Sequence, residues 1–514
     1  MNYLIGIDAG TSAIKTVLFD EAGQVIATSN YEYPLIQPQN GWAEQDPKNW
    51  REGTLQTLKD VVMKSNVDPK QIKGIGIAGQ MHGLVMLDEA GEVIRPSIIW
   101  CDQRTYKEVE QMLEMMPRER WIELTANPPL TGWTAAKILW VRNHEPNIYE
   151  KCRHILLPKD YIRYVLTGEF ATDVSDASGM QLLDVAHRCW SDEVLEILNI
   201  DRSLLPDVYE SCKVTGHLLP DVATLTGLSS QTVVVAGAGD NAAAAVGTGV
   251  VKEGTAFTTI GTSGVVFAHS NEMTLDPKGR VHTCCHAVPG AWHVMGVTQA
   301  AGLSLKWFKE QFCQDYVEWA EQEKMDVYEL INHDIEQIPI GSDRLIYLPY
   351  LMGERTPHLD PDCRGVFFGL SAIHSKAHLL RAVMEGVSYS LKDCHGILNE
   401  MGLEINQMMA CGGGGKSPIW RQMLSNMYNC QVAIVDQSEG PALGAAILAG
   451  VGSGLYSSVE LACETLIRVK DVTSPVLADV HYYEKAHNLY QALYEALAPS
   501  YKQLVKLDNE IASN

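Results

Sequence analysis

Apolar and polar residues alternate through most of the first hundred positions. Ile14-Lys15-Thr16-Val17-Leu18-Phe19 swings between the two kinds, Asp20-Glu21-Ala22-Gly23 turns the chain, and Gln24-Val25-Ile26 carries it back. Short polar, glycine-containing loops between alternating runs predict strands joined as hairpins. The same Asp-Glu-Ala-Gly turn recurs at 88–91, between LVML and EVI. Beyond it the period lengthens. Helical spacing predicts helices over 48–62 and over 134–144, the latter with Ile138, Leu139 and Val141 as apolar positions, and a closing amphipathic helix over 483–505.

One pattern occurs twice. LIGIDAGTSAIKTVLFD (4–20) is a strand, a Gly-Thr-Ser turn and a returning strand, and FTTIGTSGVVFA (257–268) repeats it about half a chain later, with Thr259 where Asp8 stood. Between them TVVVAGAGDNAAAAVGTG (232–249) reads as a buried strand, a glycine turn and the start of an alanine-rich helix. This places a domain boundary near 245–255, dividing the chain into 1–248 and 249–514 as a duplication at domain scale.

A strand–Gly–Thr/Ser–strand turn points backbone N–H groups and a hydroxyl one way and forms a nest for an anion. For either turn alone an ordinary hairpin is the simpler reading; the pairing reverses that preference, because Gly10-Thr11-Ser12 and Gly261-Thr262-Ser263 could grip one polyphosphate. Asp8 could then hold the accompanying divalent cation, directly or through water. Asp240, after Ala236-Gly237-Ala238-Gly239, reads either as an N-cap or as a general base; a helix N-terminus would lower its pKa and weaken it as a base. The G-A-G-D-N-A run is a weak match to a dinucleotide fingerprint, since the next strand carries the second Gly-Thr-Ser turn and no terminal acid. Gly412-Gly413-Gly414-Gly415-Lys416-Ser417 misses the phosphate-loop pattern by one position, Ala410, but still lets a nucleotide approach the backbone closely. His282, Cys284 and His286 share one strand face about 7 Å apart, too splayed for chelation, and core side chains are the simpler reading. Gln80-Met81-His82-Gly83 follows a buried strand and is a loop that could present His82 to a polar ligand.

At 514 residues the chain exceeds one core, and 46% hydrophobic with 20% charged residues suits a globular enzyme. A net charge of −23 disfavours nucleic acid and anionic membrane as partners. Twelve cysteines without framework spacing, an N-terminus lacking a basic region, and no apolar run of about 18 residues lead to the expectation of a cytoplasmic protein with free thiols.

With these residues in view, nearly the whole chain resembles the FGGY family of carbohydrate kinases. One family signature reads Gly132-x-Thr134-x-x-Lys137-Ile138-x-Trp140-Val141-x-Asn143-His144; the other reads Gly365-x-Phe367-x-Gly369-Leu370 followed by His378-Leu379-x-x-Ala382-Val383-Met384-Glu385. GIAGQMHG (76–83), LLPKDYIRY (156–164), GERTPH (353–358) and GPALGAA (440–446) look like the members that act on xylulose. The resemblance implies an α/β fold of two ribonuclease-H-like domains, of the actin and hexokinase type, with a catalytic cleft between them. It implies ATP and Mg²⁺ as cofactors, D-xylulose as the sugar, and Asp240 as catalytic base. It implies sugar contacts from Met81, His82, Gln80 and Asn241, with Trp100 and Asp102 walling the pocket. Asp8, Gly10, Thr11, Ser12 and Lys15 would meet Mg²⁺ and phosphate, Gly261, Thr262 and Ser263 would form the second phosphate turn, and Gly412 to Gly415 would bind the adenine nucleotide. A homodimer is left open. The rivals are a sibling kinase acting on ribulose, gluconate or glycerol, an actin- or chaperone-type ATPase, and a dinucleotide oxidoreductase.

Overall fold

The computed structural model describes residues 1–436 and 439–512. They form two compact units, neither of them one continuous stretch. The first joins Met1–Lys252 and His269–His293 with the helices Gly440–Gly452 and Val459–Leu466; the second joins Glu253–Ala268 and Val294–Asp436 with the strand Val469–Thr473 and the helix Leu477–Ala512. The helix Gly440–Gly452 lies far beyond the expected boundary at 248/249, yet it packs in the first unit.

In the first unit the sheet is built around Tyr3–Ala9. This strand pairs antiparallel with Ala13–Asp20 and parallel with Ile72–Gly79, which pairs parallel with Val233–Val235, which pairs antiparallel with Val214–His217. In the second unit Thr255–Ile260 pairs antiparallel with Gly264–Ser270 and parallel with Gln407–Cys411; that strand pairs parallel with Gln431–Val435, which pairs antiparallel with Val469–Thr473. The directions of these pairings match, so the Gly-Thr-Ser turn recurs in a like sheet setting, although the outer strand precedes its neighbour in the first unit and follows it in the second. Asp8 stands opposite Lys15 and Ala78, and Thr259 opposite Val265 and Cys411.

Predicted elements appear where the patterns put them. The helix expected over 48–62 spans Pro47–Ser65, with proline in its first turn and Asp46 capping it through Lys48 N–H. Thr134–His144 is helical over its expected length, with every residue from Thr134 to Val141 buried. The closing helix runs from Leu477 to Ala512.

Beta-branched and aliphatic residues fill both faces of the first sheet. Ile5, Ile7, Ile75 and Ile77 pack with Trp50, Leu58 and Val61 on one side. On the other, Leu4, Val17 and Phe19 meet the helix Gly440–Gly452. That second contact is backbone to backbone. A Cβ added to Gly6 would stand 1.8 Å from Ala442 O, and one added to Gly76 would stand 1.9 Å from Ala445 O. Gly6→Ala and Gly76→Ala should each destabilise the protein by about 1–3 kcal/mol or more, the cost of forcing volume into a packed interior. Gly396→Ala, in a helix where an added Cβ meets nothing within 4 Å, should be neutral or stabilising. Urea unfolding midpoints separate the two outcomes.

Candidate active site

The first unit collects most of the sequence-predicted residues at the carboxyl ends of its parallel strands, where open α/β sheets place ligands. Tyr3–Ala9 delivers Asp8 and the Gly10-Thr11-Ser12 turn, Ile72–Gly79 delivers Gln80-Met81-His82, and the short strand Ala238–Gly239 leads into the helix Asp240–Gly247.

Asp240 is the first residue of its helix, and Gly239 occupies the cap position. Asn241 donates to one Asp240 carboxylate oxygen twice, from its backbone N at 2.7 Å and its side-chain Nδ2 at 2.9 Å. Burial nonetheless dominates: it pushes the Asp240 carboxyl up to about 6, against the lowering by the Asn241 hydrogen bonds. The expected depression by the helix terminus is therefore outweighed by desolvation. Asp8 is pushed up further, to about 7, first by burial, then by the charge of Asp240 and also that of Glu439, with Lys15 opposing. Lys15 itself pairs with Glu439 at 2.5 Å. At neutral pH Asp240 is thus mainly ionised while Asp8 is poised between its two forms.

Met81 packs against Gly239, the residue before this acid, and the His82 ring packs against Gly179. A Cβ on Gly239 would lie 3.0 Å from Met81 Cγ, and one on Gly179 would lie 2.6 Å from the His82 ring. His82 adopts a left-handed backbone, φ 66°, and its Nδ1 donates to Gly179 O at 2.7 Å. Its ring stacks on Trp133 with centroids 4.7 Å apart, while Lys137 Nζ and Thr134 Oγ1 donate to its carbonyl at 2.7 and 3.1 Å. Burial lowers the Lys137 ammonium to about 7. The signature residues Thr134 and Lys137 therefore act on the backbone of His82.

Other predicted residues brace the site. Gln80 is buried; its Nε2 donates to Gln45 Oε1 at 2.8 Å, and Gln45 donates to Thr11 O at 2.5 Å, so the pair supports the first turn. Trp100 is half exposed and donates from Nε1 to Thr11 Oγ1 at 2.9 Å. Asp102 is fully buried, with its carboxylate engaged by Ala43 N–H and by the backbone and guanidinium of Arg104; it supports the wall from behind. Of the strand His282–Cys285, His282 faces Trp133 and Asn127, and His286 just beyond it contacts Val250 O and Val288 N–H. No group of three or more His, Cys, Asp or Glu side chains among the described residues is arranged to hold a metal.

In the second unit the Gly261-Thr262-Ser263 turn receives the start of the helix Gly302–Phe312: Gly302 N–H donates to Gly261 O at 2.8 Å and Ala301 N–H to Thr262 O at 3.0 Å. Gln407–Cys411 ends in a single helical turn, Gly412–Gly415, before the helix Pro418–Tyr428. Gly412, at φ 75°, approaches the strand end so closely that a Cβ would stand 2.7 Å from Ile260 O. Gly261, Thr262, Gly413, Gly414 and Trp420 border a cavity of about 620 Å³, completed by residues that no motif marked, among them Tyr328 and Asn332. Its size suits a nucleotide base and ribose.

The chain belongs to the FGGY family of carbohydrate kinases: the family's N-terminal domain model matches residues 3–247 and its C-terminal model residues 256–453. It is 40% identical to a xylulose kinase of Bacillus subtilis (strain 168) over 494 residues, 96% of this chain and 97% of that one. The crystal structure of ligand-bound xylulose kinase from Lactobacillus acidophilus superposes with TM-score 0.91 at 28% identity, covering 98% of this chain and all of that one. A gluconate kinase from the same organism gives TM-score 0.91 and 28% identity, covering 98% and 99%. No helix among the described residues is long and apolar enough to cross a membrane.

A carboxyl that ionises less readily when folded weakens folding progressively as pH rises from the unfolded value, 3.8, to the folded value of about 7. Asp8→Asn removes that penalty. In EDTA, its gain in thermal midpoint over wild type should be larger at pH 8 than at pH 5; an equal or opposite trend would contradict the raised value.

Proposed function

We propose that this kinase transfers the γ-phosphate of ATP to the terminal hydroxyl of D-xylulose, forming D-xylulose 5-phosphate, with Asp240 as general base. The carrying observation is the placement of the Asp240 carboxylate, first in its helix at the strand ends and oriented by two Asn241 hydrogen bonds; burial raises it to about 6, toward the range general-base catalysis favours. Met81 packs against Gly239 beside it and, with the adjoining His82, would bear on which sugar is held, as would Asn241, which orients the carboxylate. The xylulose kinases among its relatives support the choice of sugar; the equal likeness to a gluconate kinase leaves the fold neutral on it.

Asp8 suits a divalent cation. Its carboxyl is raised by burial and by two neighbouring acids, a penalty that a bound cation would remove. With no multi-carboxylate cage among the described residues, Mg²⁺ would rest on Asp8 and otherwise on water and phosphate oxygens, as Mg²⁺ prefers. There it would neutralise phosphate charge. The turns Gly10-Thr11-Ser12 and Gly261-Thr262-Ser263 would supply N–H donors to phosphate, since phosphoryl transfer depends mainly on positioning and charge stabilisation. Lys15, which pairs with Glu439 and lowers the Asp8 carboxyl, would add positive charge there. The cavity beside Gly413 and Gly414 would take the adenosine.

ADP release across ketoses, polyols and sugar acids tests the substrate. D-Xylulose should give the highest kcat/KM; preference for gluconate, ribulose or glycerol would overturn it in favour of a sibling kinase. In the same assay Asp240→Asn should lose about a hundredfold to ten-thousandfold in kcat while still binding ATP, and near-normal turnover would remove Asp240 from the role of base.

The nucleotide reading has its own test. A Cβ on Gly413 meets nothing within 4 Å, so Gly413→Val should project into the cavity without disturbing the fold. It should raise the KM for ATP about tenfold by steric exclusion and leave the KM for sugar little changed. An unchanged KM for ATP would place the adenosine elsewhere.

A further inference from the structure

Behind Asp240 lies a group of buried charges that the phosphoryl-transfer chemistry does not use. Lys159, Asp160, Asp173, Ser175, Asp176 and Ser211 all have 0% exposure. Lys159 Nζ pairs with Asp160 at 2.6 Å and with Asp173 Oδ1 at 2.8 Å, and lies 3.7 Å from Asp176. Three carboxyls around one ammonium form a costly arrangement for a protein interior. Asp160 and Asp176 respond accordingly, burial raising both above the ordinary carboxylate range.

The contacts of Asp173 lead toward Asp240. Its Oδ2 accepts from Ser175 N at 2.8 Å, Ser175 Oγ at 2.6 Å and Ser211 Oγ at 2.7 Å. Because Ser175 donates its only hydroxyl proton to Asp173, its oxygen is left to accept, and it receives Gly239 N–H at 3.1 Å. Gly239 immediately precedes Asp240. Two further bonds hold the same turn: Lys159 Nζ to Ala236 O at 3.3 Å and Gly237 N–H to Ser211 O at 3.0 Å. Gly237 itself, at φ 81°, tolerates no Cβ, which would lie 2.3 Å from Ile77 O. Three backbone atoms of residues 236–239 are thus fixed from the one buried cluster.

We propose that Ser175, polarised by the Lys159–Asp173 pair, is a positioning residue that sets the backbone orientation of Asp240 through Gly239 N–H. A charged acceptor draws the hydroxyl proton away and strengthens the serine oxygen as an acceptor in turn. The cluster's cost in stability is exchanged for a fixed direction of one carboxylate. This assignment rests on Asp240 being the base.

The test is a kinetic cycle on the full-length enzyme with D-xylulose and ATP, comparing Ser175→Ala, Ser211→Ala, Asp240→Asn and the Ser175→Ala/Asp240→Asn double variant. Ser175→Ala should lower kcat about tenfold, as small misplacements of catalytic groups do, with the KM for both substrates little changed. Ser211→Ala, which removes another bond to the same carboxylate, should lower kcat less. In the Asp240→Asn background Ser175→Ala should have no further effect. A Ser175→Ala enzyme with wild-type kcat, equal losses in the two serine variants, or a loss that persists without Asp240 would each overturn the proposal. Should Ser175→Ala fail to accumulate as folded protein, Ser175→Cys keeps the volume, weakens the acceptor and is read the same way. Near-normal turnover of Asp240→Asn alone would instead sink the base assignment, so the two failures are distinguishable.

Discussion

The close approach of the helix Gly440–Gly452 to its neighbours governs the first unit. It presents backbone where most helices present side chains. Gly6 and Gly76 admit Ala442 O and Ala445 O from the sheet side, while Gly444 admits Ala243 O and Gly247 admits Gly440 O, each of the last two with an added Cβ only 1.8 Å away. One helix is therefore locked to both the strand that carries Asp8 and the helix that begins with Asp240. Small residues allow such contact because nothing intervenes between the backbones. The relative placement of the two acids follows from it.

The electrostatics of the pair follow from that placement. Two carboxylates buried near one another cannot both ionise cheaply. Asp8 is raised first by burial and then by the charges of Asp240 and Glu439, with Lys15 opposing. Asp240 keeps its charge with the help of two Asn241 N–H bonds. The two acids are set apart by their partners: Asn241 supports the charge on Asp240, while Asp240 and Glu439 oppose the charge on Asp8.

Much of the framework was legible. Alternation gave the hairpins, the helical period placed Pro47–Ser65 and Thr134–His144, and the repeated Gly-Thr-Ser turn pointed to a repeated sheet. What periodicity could not supply is lateral contact between residues far apart in the chain. Trp133 stacks under His82, and Ser175 reaches Gly239 across 64 positions. Gln80 and Asp102 were named from the family resemblance alone; the sequence could not show that Gln80 also meets Gln45 or that Asp102 also meets Ala43 N–H. The place of GPALGAA was hidden for the same reason: as a family-like stretch it does not disclose that the glycines of the first sheet receive it.

The absent second acid has a local physical cause. Residues directly opposite on neighbouring strands share a face, and Asp8 faces Lys15, whose charge lowers the cost of ionising it. Thr259 holds the equivalent place, but its opposite neighbours are Val265 and Cys411. A carboxylate at 259 would meet the same desolvation with no cation across the strand, next to a thiol that burial already pushes up to about 12. A hydroxyl satisfies that position without charge. The turn is common to both halves, and only the first sets a cation across the strand from the residue two places before it.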